Sequence, residues 1–275
     1  NNRFKLDNLI YDSLYSSLYQ VLDLWEKDKR LYLKLYNEEK QDAVIDYFIK
    51  NFIALSKIKH ENLLLSHQFD IIKTIDGKKV NIKEYYSTIE YIDAPTLDKL
   101  YLDLNFKERL GILIQVANVL DFLHYKGIIY RHLSPSNIFV LEDGTIKLMG
   151  LSTICENIIN AEYSDLTRHF IATEVLLEQK DIINKSADKY SFGMLALYLL
   201  TEDFYNPSKK KFNYIEGSEL NSLQEGLLNH AISSFTMKNP SLRDYEFRDL
   251  IDDINKEFNM DFQYDLAKES IEYYI

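Results

Sequence analysis

The feature that most constrains this chain is a change in its hydrophobic period. Up to about residue 92 the apolar residues fall in short β-rich runs, and beyond about 97 they stand mainly at helical spacing. Within "LYLKLY", Leu31, Leu33 and Leu35 share one face of a strand, and Tyr32, Lys34 and Tyr36 share the other. Strand-like runs cover about 9–36 and again "VNIKEYYSTIEYI" at 80–92, after a turn signal at Asp76-Gly77. Between them Val44, Tyr47, Phe48, Phe52, Leu55 and Ile58 stand three and four apart, the pattern of an amphipathic helix. "DAPTLDKL" then leads into helices. Leu110, Leu113, Ile114, Ala117, Leu120 and Leu123 form a stripe over 107–126 that stops at Gly127, a helix C-terminus. "NIFVLEDGTIKLM" reads as a hairpin turning at Asp143-Gly144, and 173–275 is mostly helical. The pattern predicts an α+β fold in two lobes: a β-rich lobe with one helix over 1–92 and a mainly helical lobe over 93–275.

Composition narrows the functions such a fold would carry. With 275 residues and 46% hydrophobic content the chain can bury one large core or two modest ones. Its 43 acidic and 32 basic residues give a net charge of −11, which repels phosphate backbones and anionic lipid. We therefore expect a protein partner rather than nucleic acid or a membrane. The single cysteine, Cys155, excludes an internal disulfide framework and a multi-cysteine metal site, and fits a reducing, cytoplasmic setting. No apolar run reaches transmembrane length, and no signal-peptide pattern is present. The start at Asn1-Asn2 rather than Met leaves open whether the chain is a piece of a longer one.

Seven separated stretches carry a resemblance. "YLKL" around Lys34 resembles V-A-I-K, and "KIKHENLL" resembles the segment after helix C. "IEYI" resembles a hinge, and "YRHLSPSN" resembles H-R-D-L-x-x-x-N. "IATEVLL" resembles the A-P-E region, "KSADKYSFGMLALYLLTE" the start of helix F, and "NPSLRDYEFRDL" the last helix of the same family. Together, in this order, they resemble the eukaryotic-type protein kinase superfamily over almost the whole chain. The resemblance implies a bilobal protein-kinase-like fold.

Phosphoryl transfer depends mainly on positioning and charge stabilisation, so few side chains are needed and each can be sought. The position of the catalytic-loop aspartate is His132, and the loop lysine position is Ser134. Thirteen residues after Asn137, where the resemblance implies a magnesium-holding aspartate, the sequence reads Gly150-Leu151-Ser152. Glycine has no side chain with which to ligate a hard cation. The helix C glutamate position falls on Asn51, and Tyr11, Ser13 and Ser16 replace the glycines of the phosphate-covering loop. Tyr32 stands where a small residue forms the roof over adenine, and Phe139 where the floor belongs. We expect these two rings to occlude the slot, leaving Lys34 and Asn137 vestigial.

Other matches concern the frame. Glu174 and Arg243 match an ion pair that clasps the segment after the activation loop, and Asp188 matches an aspartate that holds the catalytic-loop backbone. Leu55, Tyr130 and Leu151 match positions of a hydrophobic column. Arg131 precedes His132, with Tyr163, Ser164 and Thr167 in the matching activation loop, so either a phosphate switch or an arginine bonding backbone carbonyls fits it. Glu142, Asp143 and Asp165 read as solvated carboxylates, and we assign no metal. The expectation is a pseudokinase: not an enzyme, without cofactor, working as an interaction scaffold or allosteric regulator of a protein partner such as another kinase or a fused effector. The competing reading is a divergent nucleotide-binding enzyme, a weak kinase or nucleotide transferase, using Lys34 and His132.

Overall fold

The computed structural model describes residues 3–12, 16–36, 52, 56–75, 78–79, 85–149, 165–177, 179 and 181–262, and of Tyr11 only the backbone. The chain forms two compact units. The first comprises Asn1–Asp93 with Lys147–Glu162, and the second Ala94–Ile146 with Tyr163–Ile275.

The first unit is built on a five-stranded antiparallel sheet. Its strands are β1 (Phe4–Asp12), β2 (Ser16–Asp23), β3 (Lys29–Tyr36), β4 (Ser66–Ile71) and β7 (Tyr85–Glu90), in the order β1-β2-β3-β7-β4. A short pair, β5 (Thr74–Ile75) and β6 (Lys78–Lys79), flanks the Asp76-Gly77 turn signal, which itself lies outside the described residues. The alternation in β3 has the expected result. Leu31 and Leu33 pack with Val21 and Tyr86 in a core cluster against which Phe4, Tyr19, Leu35 and Ile72 lie. The opposite face is buried too: Tyr32, Lys34 and Tyr36 are each under a tenth exposed. A central strand covered on both faces needs its polar atoms engaged, and Tyr36 shares a hydrogen bond with Ser87 Oγ at 3.0 Å.

Two differences from the sequence pattern have local causes. The first strand begins at Phe4 rather than near residue 9, because its outward residues are exposed and leave little alternation to read. The β2–β3 turn passes through Lys27 and Asp28, both at positive φ (56° and 58°), a conformation usually signalled by Asn or Gly. At that end Asp23 is fully buried and accepts from Arg3 Nη2 at 2.7 Å, while Arg3 Nη1 donates to Gln68 Oε1 at 2.7 Å. Burial raises the Asp23 pKa, but the Arg3 hydrogen bonds and the backbone amides of Trp25 and Glu26 outweigh it, holding the carboxyl below its ordinary value. The helix expected from 39–58 lies almost wholly outside the described residues.

The second unit is mainly helical. Its helices are α1 (Leu97–Leu100), α2 (Phe106–Tyr125), α3 (Asp165–Phe170), α4 (Thr173–Leu176), α5 (Ser186–Leu200), α6 (Ser222–Phe235) and α7 (Phe247–Phe258). The hairpin strands β8 (Ile138–Val140) and β9 (Ile146–Leu148) are joined through Gly144, at φ 82°. Helix α2 begins at a reciprocal cap: Asn105 Oδ1 accepts from the Glu108 amide, and Glu108 Oε2 accepts from the Asn105 amide. It ends before Gly127, whose φ of 75° is strained for other residues. All six residues of its predicted stripe are buried.

Helix α5 is apolar on nearly every side and packs against α2 and α6. A methyl group at Gly193 would meet Phe235 Cβ at 2.7 Å and Thr236 Cγ2 at 2.9 Å, so the close approach of α6 depends on that glycine. Phe192, Phe235 and Phe247 meet around this contact with ring centroids 5.1–5.5 Å apart. Such aromatic triads bury large areas and orient their helices. No described helix is long and apolar enough to cross a membrane.

Candidate functional site

The loop from Tyr130 to Asn137 connects α2 to β8, and its backbone is held from α5. Asp188, in the first turn of α5, is fully buried. Its Oδ2 accepts from the Tyr130 amide at 2.7 Å, and its Oδ1 accepts from the Arg131 amide at 2.6 Å. His124 Nε2, in the last turn of α2, lies 2.8 Å from the same Oδ2. These contacts explain why Arg131 tolerates φ 60°. The left-handed conformation costs a non-glycine residue about 1–2 kcal/mol, which charge-assisted bonds to a buried carboxylate offset.

Further along, Asn137 Nδ2 donates to the His132 carbonyl at 2.9 Å, closing the loop across five residues. Ser134 is buried, with its hydroxyl 3.0 Å from that of Ser136. His132 is half-buried, and Tyr130 is fully buried. Burial, and behind it the Asp188 charge, pushes the Tyr130 phenol well above its ordinary pKa. Phe139 is buried in β8, bridging Thr96 through its backbone.

A second cluster braces the segment after α3. Arg243 Nη1 donates to Glu174 Oε1 at 2.5 Å and Nη2 to Oε2 at 3.3 Å, with both side chains almost completely buried. Its remaining donors reach the carbonyls of Met237, Ser186 and Lys238. Lys189 adds a buried ammonium that donates to the Arg243 carbonyl at 3.0 Å and to Glu246 Oε1 at 2.8 Å. A guanidinium placed this way has its planar fork filled.

In the first unit Lys34 is fully buried on β3, its Nζ 5.8 Å from the centre of the Tyr36 ring. Two residues earlier, the Tyr32 hydroxyl donates to the Ile92 carbonyl at 3.4 Å, and its ring lies 5.1 Å from that of Tyr91. Burial first, then the nearby Tyr91 and Asp93 charges, pushes the Tyr32 phenol up to about 12. Ser16 is buried at the start of β2.

Several sequence candidates lie outside the described residues: Asn51, Leu55, Ser13, Gly150, Leu151, Tyr163 and Ser164. Thr167 stands in α3 and Asp165 opens it. Asp143 accepts from the Thr145 amide at 2.8 Å, a turn contact that lowers its pKa. Among the described residues no three His, Cys, Asp or Glu side chains stand together as a metal group. Sequence reasoning missed His124, Lys189 and the Tyr32–Ile92 contact. Each partner is more than fifty residues away in sequence, so no periodicity points to it.

The comparisons with known proteins agree with this geometry. Residues 15–260 match the model of the protein kinase domain. The chain is 27% identical over 192 residues to "Stress-activated protein kinase JNK" of Suberites domuncula, a match covering 69% of this chain and 52% of that protein. It is 30% identical over 206 residues to a probable serine/threonine-protein kinase of Dictyostelium discoideum, covering 66% of this chain and 34% of that protein. A probable serine/threonine-protein kinase PknB of Lactococcus lactis is 24% identical over 212 residues, covering 73% and 32%. The chain thus spans about half or less of these relatives' length.

These relatives overturn one expectation, that the chain is not an enzyme. All three are named as kinases, and the family they point to is enzymatic. The physical reason is that His132, Ser134, Asn51 and Gly150 alter single charge-bearing positions, whereas phosphoryl transfer is spread over many positioning and electrostatic contacts. By its matched span, its sheet-and-helix architecture and its held loop, this chain belongs to the protein kinase domain family.

Proposed function

We propose that this kinase-family domain acts through its surfaces, as a scaffold or allosteric regulator of a protein partner, and that its nucleotide slot is degraded. The observation that carries the reading is Tyr32. Its hydroxyl reaches the carbonyl of Ile92, in the stretch that resembles the hinge, and its ring lies against Tyr91. A phenol bonded there competes for the backbone acceptor that a base would use. The net charge of −11 favours a basic protein surface as partner. A cytoplasmic setting belongs to the same proposal and is supported by the single cysteine.

A second reading has its own support. Lys34 keeps a fully buried ammonium in the strand that resembles V-A-I-K. A divergent nucleotide-binding enzyme would use that ammonium on a phosphate, with His132 as base.

Thermal unfolding with millimolar ATP, with and without magnesium, separates the two. Ligand at about a hundred times its dissociation constant stabilises by about 2.7 kcal/mol, or several degrees at about 2–4 °C per kcal/mol. We expect no shift in the natural chain and a rise in Tyr32→Ala, each variant being compared with its own ligand-free midpoint. A rise in the natural chain would sink the occlusion reading and favour the nucleotide-binding one.

A further inference from the structure

The second unit holds an acid that the fold leaves without a partner. Asp98 stands in the first turn of α1, and its Oδ1 is buried yet accepts no hydrogen bond among the described residues. No described cation forms an ion pair with it either. A carboxylate oxygen taken out of water costs free energy unless something engages it, so a buried one without a partner calls for an explanation. The side chains around Asp98 say what would engage it.

Tyr101 follows Asp98 by three residues, which makes the two neighbours on one helical turn. Its ring lies 4.5 Å from that of Tyr198, in the last turn of α5, and both tyrosines are half-buried, as Asp98 is. Phe170 and Phe204, both buried, meet the Tyr198 ring edge-on at 5.6 and 5.3 Å and fix its plane. The Asp98 charge reaches these rings. Burial first, then the Tyr101 hydrogen bond and the Tyr101 and Asp98 charges, push the Tyr198 phenol well above its ordinary value. Arg109 also lies beside Tyr101, 5.9 Å from the ring centre, but its Nε and Nη1 donate to the Leu104 and Leu199 carbonyls at 2.8 Å each. That guanidinium is committed to main chain, and Asp98 is left for a cation from outside.

A carboxylate beside fixed, partly exposed rings selects a flat cation. A guanidinium can lay its face on a ring and turn an N–H edge to the carboxylate, whereas an ammonium is a compact, strongly hydrated charge with no face to stack. We infer that Asp98, Tyr101 and Tyr198 form a recognition site for an arginine side chain of a partner protein. The inference rests on the reading that the domain acts on a basic partner, and it narrows that partner to one presenting an exposed arginine. The net charge of −11 draws any basic segment to the surface, and the rings beside Asp98 tell arginine from lysine there.

The test is calorimetric titration of the whole chain with hexaarginine and, separately, with hexalysine at low salt. Hexaarginine is expected to bind the natural chain more tightly. Asp98→Asn should weaken hexaarginine about tenfold, although it removes only one of the chain's 43 acidic residues. Tyr101→Leu keeps the charge and should abolish the preference for arginine while leaving hexalysine binding unchanged. In the peptide-free chain Asp98→Asn should leave the thermal midpoint unchanged or raise it, because a neutral amide replaces the buried, unpartnered oxygen; a carboxylate kept for the fold would be missed. Equal binding of the two peptides by the natural chain, hexaarginine binding indifferent to Asp98→Asn, a preference that survives Tyr101→Leu, or a lower midpoint in Asp98→Asn would each overturn the inference. Hexaarginine binding that ignores Asp98 would place a basic partner elsewhere on the surface, whereas failure of both peptides to bind would overturn the site and the basic partner together.

Discussion

The loop 130–137 of the second unit and strand β3 of the first both bear residues on which a kinase reading depends, and they are built on opposite principles. In the loop, buried charge is directed at main chain. Asp188 takes two backbone amides, and Arg243, beside the loop's anchor helix, reaches three carbonyls as well as Glu174. In β3, the face that carries Tyr32, Lys34 and Tyr36 is buried, with Tyr32 against Tyr91 and Lys34 beside Tyr36. The contrast separates holding a backbone from presenting chemistry. A chain can keep the first while the second changes.

Substitutions can break that contrast, and the largest effect should come from the braced side. Arg243→Ala leaves the Glu174 carboxylate buried without its partner, a loss of about 3–5 kcal/mol. Differential scanning calorimetry should show the midpoint falling by roughly 6–20 °C at about 2–4 °C per kcal/mol. A fall of only a degree or two would mean that the pair contributes little to the frame.

Asp188→Asn should follow. Its amide can accept through one oxygen only, so one of the Tyr130 and Arg131 amides loses its acceptor, at about 1–3 kcal/mol. Urea unfolding should register that cost, and amide exchange at Arg131 should quicken. Unchanged exchange would transfer the loop's anchorage to other residues.

Acid titration sharpens the comparison from the other unit. Because the folded pKa of Asp23 is depressed, its contribution to stability is fully present above the ordinary carboxylate range and is lost as pH falls through the folded value. Stability measured downward from about pH 5 should therefore fall less steeply in Asp23→Asn than in the natural chain. Parallel curves would remove Asp23 from the account.

The smallest effect is expected at Tyr32→Phe. The 3.4 Å bond to Ile92 is long, so its removal should cost about 0.5 kcal/mol, while the ring stays in place. If the ring rather than the hydroxyl occupies the slot, ATP should still fail to raise the midpoint of this variant. A rise here would make the hydrogen bond the gate.

The fold was legible wherever its causes are local. The alternation in β3, the Gly127 limit of α2 and the Asp143-Gly144 hairpin each follow from neighbouring residues. Sheet order was less accessible, since β7 inserts between β3 and β4 by pairing with β3 from Leu31↔Glu90 to Tyr36↔Tyr85, far apart in sequence. The Lys27-Asp28 turn was hidden because lysine rarely takes positive φ and no glycine or asparagine stands beside Asp28. At the site, residue identities could be read while contacts could not. Asp188 invited the reading of a backbone anchor, but nothing in sequence couples it to His124, sixty-four residues earlier. Tyr32 was readable as a bulky roof, yet its choice of the Ile92 carbonyl depends on how β3 and the end of β7 lie side by side.

The anchorage of the loop has an implication for how such a chain changes over time. The Asp188 bonds fall on the amides of residues 130 and 131, and Asn137 takes the carbonyl of residue 132. Every one of them is blind to which side chain position 132 carries. His132→Asp would therefore leave these three main-chain contacts available and change only what the side chain at that position itself touches.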